Sequence, residues 1–135
     1  MKIQKLWFAD EKIFILTDDG RELWQSLLWY PRLRRATKEQ RMQYVYGEIG
    51  IRWEEIDEDM SLESFLYDNP EPEGIPRFFL LHPELNASAV ARRMGMERSL
   101  MVSYINGSKK PSRECEDKIM NTIRQIGEEL SSVRL

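Results

Sequence analysis

The chain has 135 residues, 41% hydrophobic and 32% charged, with 20 Lys and Arg against 23 Asp and Glu for a formal net charge of −3. That length and balance suit one moderate core or two small ones, and the lack of any apolar run of about 18 residues excludes a transmembrane helix. The single Cys115 and single His82 exclude an internal disulfide framework and a closed zinc site, so no metal or cofactor is expected and a reducing cytoplasm is the expected location.

The opening MKIQKLWFADEK alternates apolar and charged residues, unlike a secretory signal. KIQKLWF (2–8) and KIFILTDDGRELW (12–24) are rich in β-branched and aromatic residues and are separated by turn residues. Asp19-Gly20 is a strong hairpin signal and Asp10-Glu11 a weaker one, so a three-stranded antiparallel meander is expected. After Pro31, Thr37 followed by Gln40 makes a capping box, which predicts a helix over Lys38 to Tyr46. Between Gly50 and Asp68 lie seven carboxylates: Glu54, Glu55, Asp57, Glu58, Asp59, Glu63 and Asp68. They lack the alternating oxygen ligands and central glycine of a calcium loop, and no His, Lys or nucleophile is spaced to work with them. The segment reads as a solvated acidic turn leading to a helix capped by Ser61, with a surface for a partner protein as its functional alternative and no enzyme expected.

Charge then changes sign. Residues 1–76 hold 10 Lys and Arg against 16 Asp and Glu, whereas residues 77–135 hold 10 against 7. Asn69 to Pro76 is rich in proline and reads as a linker, giving an acidic α+β domain over 1–68 and a helical domain over 77–135.

In that second half only the short RFFLLH stretch (77–82) is available as a first helix before Pro83. Asn86 is a good cap for a helix over Ala87 to Met94, which Gly95 ends; a second helix runs from Arg98 to Asn106 and meets Gly107. Ser112 caps a longer third helix, with Glu114, Glu116 and Asp117 in its first turn. Two helices joined by so tight a turn have the layout of a helix-turn-helix. Periodicity places Val90, Ala91 and Met94 inward on the first, Met101, Tyr104 and Ile105 inward on the second, and Ile119, Met120, Ile123, Ile126 and Leu130 inward on the third. Arg92, Arg93, Arg98, Ser99, Val102, Ser103 and Asn106 are left facing outward. From Arg92 to Arg113 six basic residues stand against Glu97 alone. The bland alternative is a solvated basic face, or a helix-turn-helix that binds protein.

Two resemblances add to this. TDDGRE, WYPRLRRATKEQR and GIRWEEIDEDMSLESFL, in order over roughly residues 1–67, resemble a bacterial family of small domains of unknown function with a G-I-x-W-x-x-I-D-E-D signature. Its members are often associated with predicted toxin-antitoxin or regulatory gene pairs. Members often have His where this chain has Arg52, so any role of that His does not transfer. ASAVARRMGMERSLMVSYINGSKKPS resembles the helix-turn-helix of the lambda-repressor-like superfamily, in its buried Ala91, its Met94-Gly95-Met96 turn and its closing Ile105-Asn106-Gly107. That second resemblance implies a bundle of four or five helices over about 77–131, with double-stranded DNA as ligand. It places Arg98 and Ser99, then Val102 and Ser103, against base edges in the major groove, and Asn106, Lys109 and Lys110, with Arg92 and Arg93, against phosphate. Two positions depart from it: Glu97 stands where many members have a capping Ser or Thr, and Ala87 where relatives often have Gln. A carboxylate at 97 is expected to accept backbone amides and to repel phosphate. The implied function is a sequence-specific transcriptional regulator, expected to act as a homodimer on half-sites about 34 Å apart. An antitoxin or other partner-binding module built on the acidic domain is the alternative.

Overall fold

Strand alternation builds the first sheet. β1 (Ile3–Ala9), β2 (Lys12–Thr17) and β3 (Glu22–Ser26) form an antiparallel meander in the order β1-β2-β3, as expected. One face of the pleat buries Ile13, Ile15 and Thr17 of β2 completely. The other carries Trp7, Phe14 and Trp24 in one cross-strand row, with Trp7 and Phe14 stacked at 5.4 Å and lysines closing both ends: Lys5 over Trp7 at 5.3 Å, Lys12 over Trp24 at 4.3 Å. The structure, a computed structural model, describes residues 1–135, and the chain divides into two units, Met1–Pro72 and Glu73–Leu135.

The two hairpin turns exchange their expected roles. Asp10-Glu11 forms the tight two-residue turn, with both residues in the left-handed region at φ 52° and 60°. Asp19-Gly20 instead sits in a longer loop between Thr17 and Glu22, where the Thr17 hydroxyl and then Arg21 hold the Asp19 carboxyl down to about 2.

Past β3 come two single-turn helices, α1 (Pro31–Arg34), started by its proline, and α2 (Lys38–Arg41). Both bonds of the Thr37/Gln40 capping box are present. The expected helix to Tyr46 nevertheless stops at Arg41, because Val45–Tyr46 is a strand, β4, paired to β5 (Gly50–Trp53). The Arg41 carbonyl accepts a 3.0 Å bond from the Trp53 indole, which satisfies a helix-end acceptor from across the fold. β5 pairs in turn with β6 (Glu58–Ser61), completing a second three-stranded sheet. The acidic segment is therefore mostly a hairpin, not a turn before a helix. Ser61 accepts from Ser64 N–H and starts only a short 3-10 turn over Glu63–Leu66. Both sheets and α1 feed one core that includes Leu6, Ile13, Ile15, Leu33, Ile51, Trp53, Met60 and Phe65.

The division between the two units falls inside the segment expected to be a linker, 69–76, but most of that segment is held by one unit or the other. Asn69 O accepts from the Trp29 indole at 3.0 Å, Pro70 O from Ser26 N–H at 2.8 Å, and Pro72 is buried, so 69–72 straps the first unit. Gly74 then opens α3 (Gly74–Leu81), three residues earlier than RFFLLH predicts, with Pro76 tolerated in the first turn. α4 (Ala87–Arg93), α5 (Arg98–Ile105) and α6 (Arg113–Ser131) follow. Together they bury Ile75 and Phe79 of α3, Val90 and Ala91 of α4, Met101 and Tyr104 of α5 and Ile119 of α6. Leu130, expected in the α6 packing stripe, is instead 65% exposed, because the helix runs on beyond the core. The fold is α+β, and no helix is long and apolar enough to cross a membrane.

Candidate nucleic-acid interface

The junction of α4 and α5 is set by backbone chemistry. Asn86 caps α4, its side-chain oxygen accepting from Ala89 N–H at 3.1 Å. At the other end Gly95 takes φ 70°, and two bonds close the helix: Met96 N–H to Ala91 O at 2.8 Å and Gly95 N–H to Arg92 O at 3.1 Å. This is the paired bonding of a Schellman stop, and it turns the chain into α5 after three residues. Ala91 is fully buried where α4 meets α5, which a side chain as small as Ala allows.

A paired substitution tests this reading of Gly95. A Cβ there meets open space, so the cost of Gly95→Ala is that of forcing an L-residue to positive φ, about 1–2 kcal/mol. Gly127 also faces open space but lies inside α6, so Gly127→Ala should stabilise by about 0.5–1 kcal/mol. Denaturant melts of the second unit should move in opposite directions.

On α5 the inward row is Met101 and Tyr104, both buried, with Leu100 and Ile105 half-buried. Cys115 of α6 lies 3.8 Å from the Tyr104 hydroxyl, and this contact, then burial, pushes the phenol up from its ordinary range. Arg98, Ser99 and Val102 face outward together, Val102 45% exposed, which is the row that the lambda-repressor-like resemblance would place against base edges. Ser103 is less available: half-buried, its hydroxyl donates to Leu100 O at 2.6 Å, leaving acceptor capacity only.

The loop after α5 is tied back to it. Asn106 is exposed, and its side-chain oxygen accepts from Ser108 N–H at 2.9 Å, leaving the amide NH₂ outward. Lys109 N–H donates to Ser103 O at 3.1 Å, so the Lys109-Lys110 pair is anchored to the outward face of α5. Ser108, which spacing does not single out, adds a second tie through its hydroxyl to the same carbonyl.

The remaining cations divide. Arg92 is exposed on α4, whereas Arg93 is held by Glu129 of α6 at 2.6 Å and its charge is largely spent within the unit. Glu97 precedes α5 without capping it: its side chain accepts no backbone amide, contrary to expectation, so its charge stands unengaged at the helix start.

The acidic segment of the first unit resolves into structural parts. A Cβ at Gly50 would lie 2.7 Å from Met60 O, so only glycine fits there against β6. Ile51 and Trp53 are core, Asp57 turns the hairpin at φ 52°, and Glu58 is buried beside Arg32 at 3.5 Å. Arg52 gathers Asp59 at 2.7 Å, Asp57 at 2.9 Å and Glu54 at 3.1 Å, and those carboxylates raise its pKa further. Arg52 and Arg32 thus tie four of the carboxylates into the hairpin, and the segment keeps a net negative charge. No group of three His, Cys, Asp or Glu side chains is arranged to hold a metal.

A family model described as "Protein of unknown function (DUF2442)" matches residues 3–71. The chain belongs to this family. The DUF2442 match ends one residue before Pro72, where the first unit closes, and the helical unit lies outside it. No curated protein and no solved structure matches the chain.

Proposed function

We propose that this DUF2442 chain is a sequence-specific DNA-binding protein, a transcriptional regulator whose second unit resembles the lambda-repressor-like helix-turn-helix and reads the major groove with α5. One observation carries the reading. Arg98, Ser99 and Val102 form an exposed row on a helix whose opposite face is core, with the Lys109-Lys110 loop anchored at its end through Ser103 O. A short helix presenting polar and small side chains at its N-terminal end suits the major groove, and cations beside it suit phosphate. Arg98 pairs with guanine O6 and N7, Val102 meets a thymine methyl, and Ser99 and Ser103 complete the base contacts. Lys109, Lys110, Asn106 and Arg92 hold phosphate, with Arg93 a weaker contributor because of Glu129. A unit this small offers little area, so two copies act together on two half-sites.

Gel-shift titration against duplex DNA from upstream of the chain's own gene tests this. With three to four cationic phosphate contacts per copy and two copies bound, log K should fall against log salt with a slope of about −5 to −7. Binding that is absent at 50 mM salt, or insensitive to salt, contradicts the proposal.

A second reading is favoured by the acidic surplus of residues 1–76, 16 Asp and Glu against 10 Lys and Arg. In it the first unit binds a partner protein, as an antitoxin binds its toxin, and the two readings coexist in one autoregulatory chain. Co-purification with the product of an adjacent gene supports it, and its absence from a native-host pull-down counts against it.

A further inference from the structure

The meander and α2 leave a groove that neither reading uses. β1 is an edge strand, and no strand pairs along its outer side. The two-residue turn at Asp10-Glu11 makes Ala9 and Lys12 a hydrogen-bonded pair, so Trp7 and Phe14 are the next such pair along the ladder. The main-chain N–H and C=O of Phe8, between them, therefore point away from β2 into the open edge. Edge strands are normally guarded by bulges, charge or proline. The bulge between Ile3 and Lys5 guards the beginning of β1, but Leu6-Trp7-Phe8-Ala9 carries no guard.

α2 does not cover this edge. A groove of about 600 Å³ lies beside it, with Trp7, Phe8 and Ala9 on one wall and Lys38, Arg41 and Met42 on the other. Met42 is 60% exposed, an apolar side chain at the lip without a core to enter. Arg41 is fixed: it donates to Leu33 O at 3.1 Å and Arg34 O at 2.7 Å while its guanidinium lies 5.7 Å from the Phe8 ring centre. The Lys12 ammonium is engaged over Trp24, so the groove's cations are Lys38 and Arg41, and of the two acids on its rim Glu11 is already held by Arg34 at 3.0 Å. Positive charge is therefore in surplus there, although the unit as a whole is acidic.

We infer that this groove takes an extended segment of another polypeptide, which adds as a strand beside β1 through Phe8, sets apolar side chains against Phe8 and Met42, and brings a carboxylate to Lys38 and Arg41. An open strand edge supplies main-chain bonds to any extended chain, and the groove walls supply the selectivity. The inference is independent of the DNA reading, and it gives the partner reading a second place besides the acidic hairpin.

The test is selection of a phage-displayed random octapeptide library on the full-length chain, followed by amide mapping with the selected peptides. Selected sequences should alternate apolar residues and carry Asp, Glu or a free C-terminal carboxylate. The Phe8 amide should shift and gain protection from hydrogen exchange. Lys38→Glu should weaken these peptides about fivefold, within reach of an exposed charge pair. Ala9→Trp, at an exposed strand position that tolerates an aromatic, should abolish binding while the thermal melt stays unchanged. A selection that returns nothing overturns the inference, as does Lys38→Glu without effect. Shifts confined to Glu54–Asp59 also overturn it, while leaving the partner reading intact.

Discussion

Trp53→Ala should unfold much of the first unit at ordinary temperature. Trp53 is 1% exposed, in edge contact with Tyr44 at 6.3 Å between ring centres, and its indole N–H satisfies the Arg41 carbonyl at 3.0 Å. Truncating such a residue costs about 3–5 kcal/mol in lost transfer energy and cavity, and the stranded carbonyl adds to it. A unit of this size has a total stability of only about 4–10 kcal/mol. The expected result is a fall in Tm of at least about 12 °C for the first transition of a thermal melt. The second unit, which buries a separate core, should melt as in the parent chain. One shared, equally lowered transition would show that the two cores do not fold independently.

Arg98→Ala carries the largest expected effect on binding. Arg98 is exposed at the first position of α5, where the helix is expected to meet base edges. Removing a bidentate base contact costs about 1–3 kcal/mol, or roughly 5- to 150-fold in Kd, and relaxes the preference at one base pair. Lys118→Ala is the control: it removes the same charge from α6, where Lys118 sits beside Glu114 at 3.7 Å. Lys118→Ala should bind as the parent does. If both variants weaken binding equally and neither alters sequence preference, Arg98 contributes only general charge and α5 is not the reading helix.

Glu97 sharpens the same point from the opposite side. Its carboxylate caps nothing, so Glu97→Ser adds a cap bond and removes a charge that repels phosphate. The substitution should tighten DNA binding and raise the stability of the second unit by about 1 kcal/mol, read by titration and melt of the same sample.

The features legible in the sequence are those decided within a few residues. Asn86, Ser112 and the Thr37/Gln40 pair each cap the helix that follows, because the bond each makes spans three residues. Gly95 and the buried Ala91 and Met101 were legible for the same reason, through turn chemistry and helical period. Distant pairing hid the rest. Val45 and Tyr46 continue a helical pattern by local propensity, yet β5 recruits them into a sheet. The acidic run reads as a turn until Arg52 is seen gathering Glu54, Asp57 and Asp59 across a hairpin. Arg93 looks as available as Arg92 until Glu129, 36 residues on, engages it. Asp10-Glu11 took the tight turn although neither residue is glycine, and Asp19-Gly20 did not, because register is set by the whole ladder.

The DNA reading requires that α5 and the loop after it meet the duplex. Backbone amide shifts of the full-length chain, recorded on titration with a short duplex at low salt, address it most directly. Shifts should concentrate at Arg98–Ser103 and Asn106–Lys110, with residues 1–72 unmoved. Shifts confined to the first unit, or none at duplex concentrations up to about 1 mM, well above ordinary non-specific affinity, would contradict it.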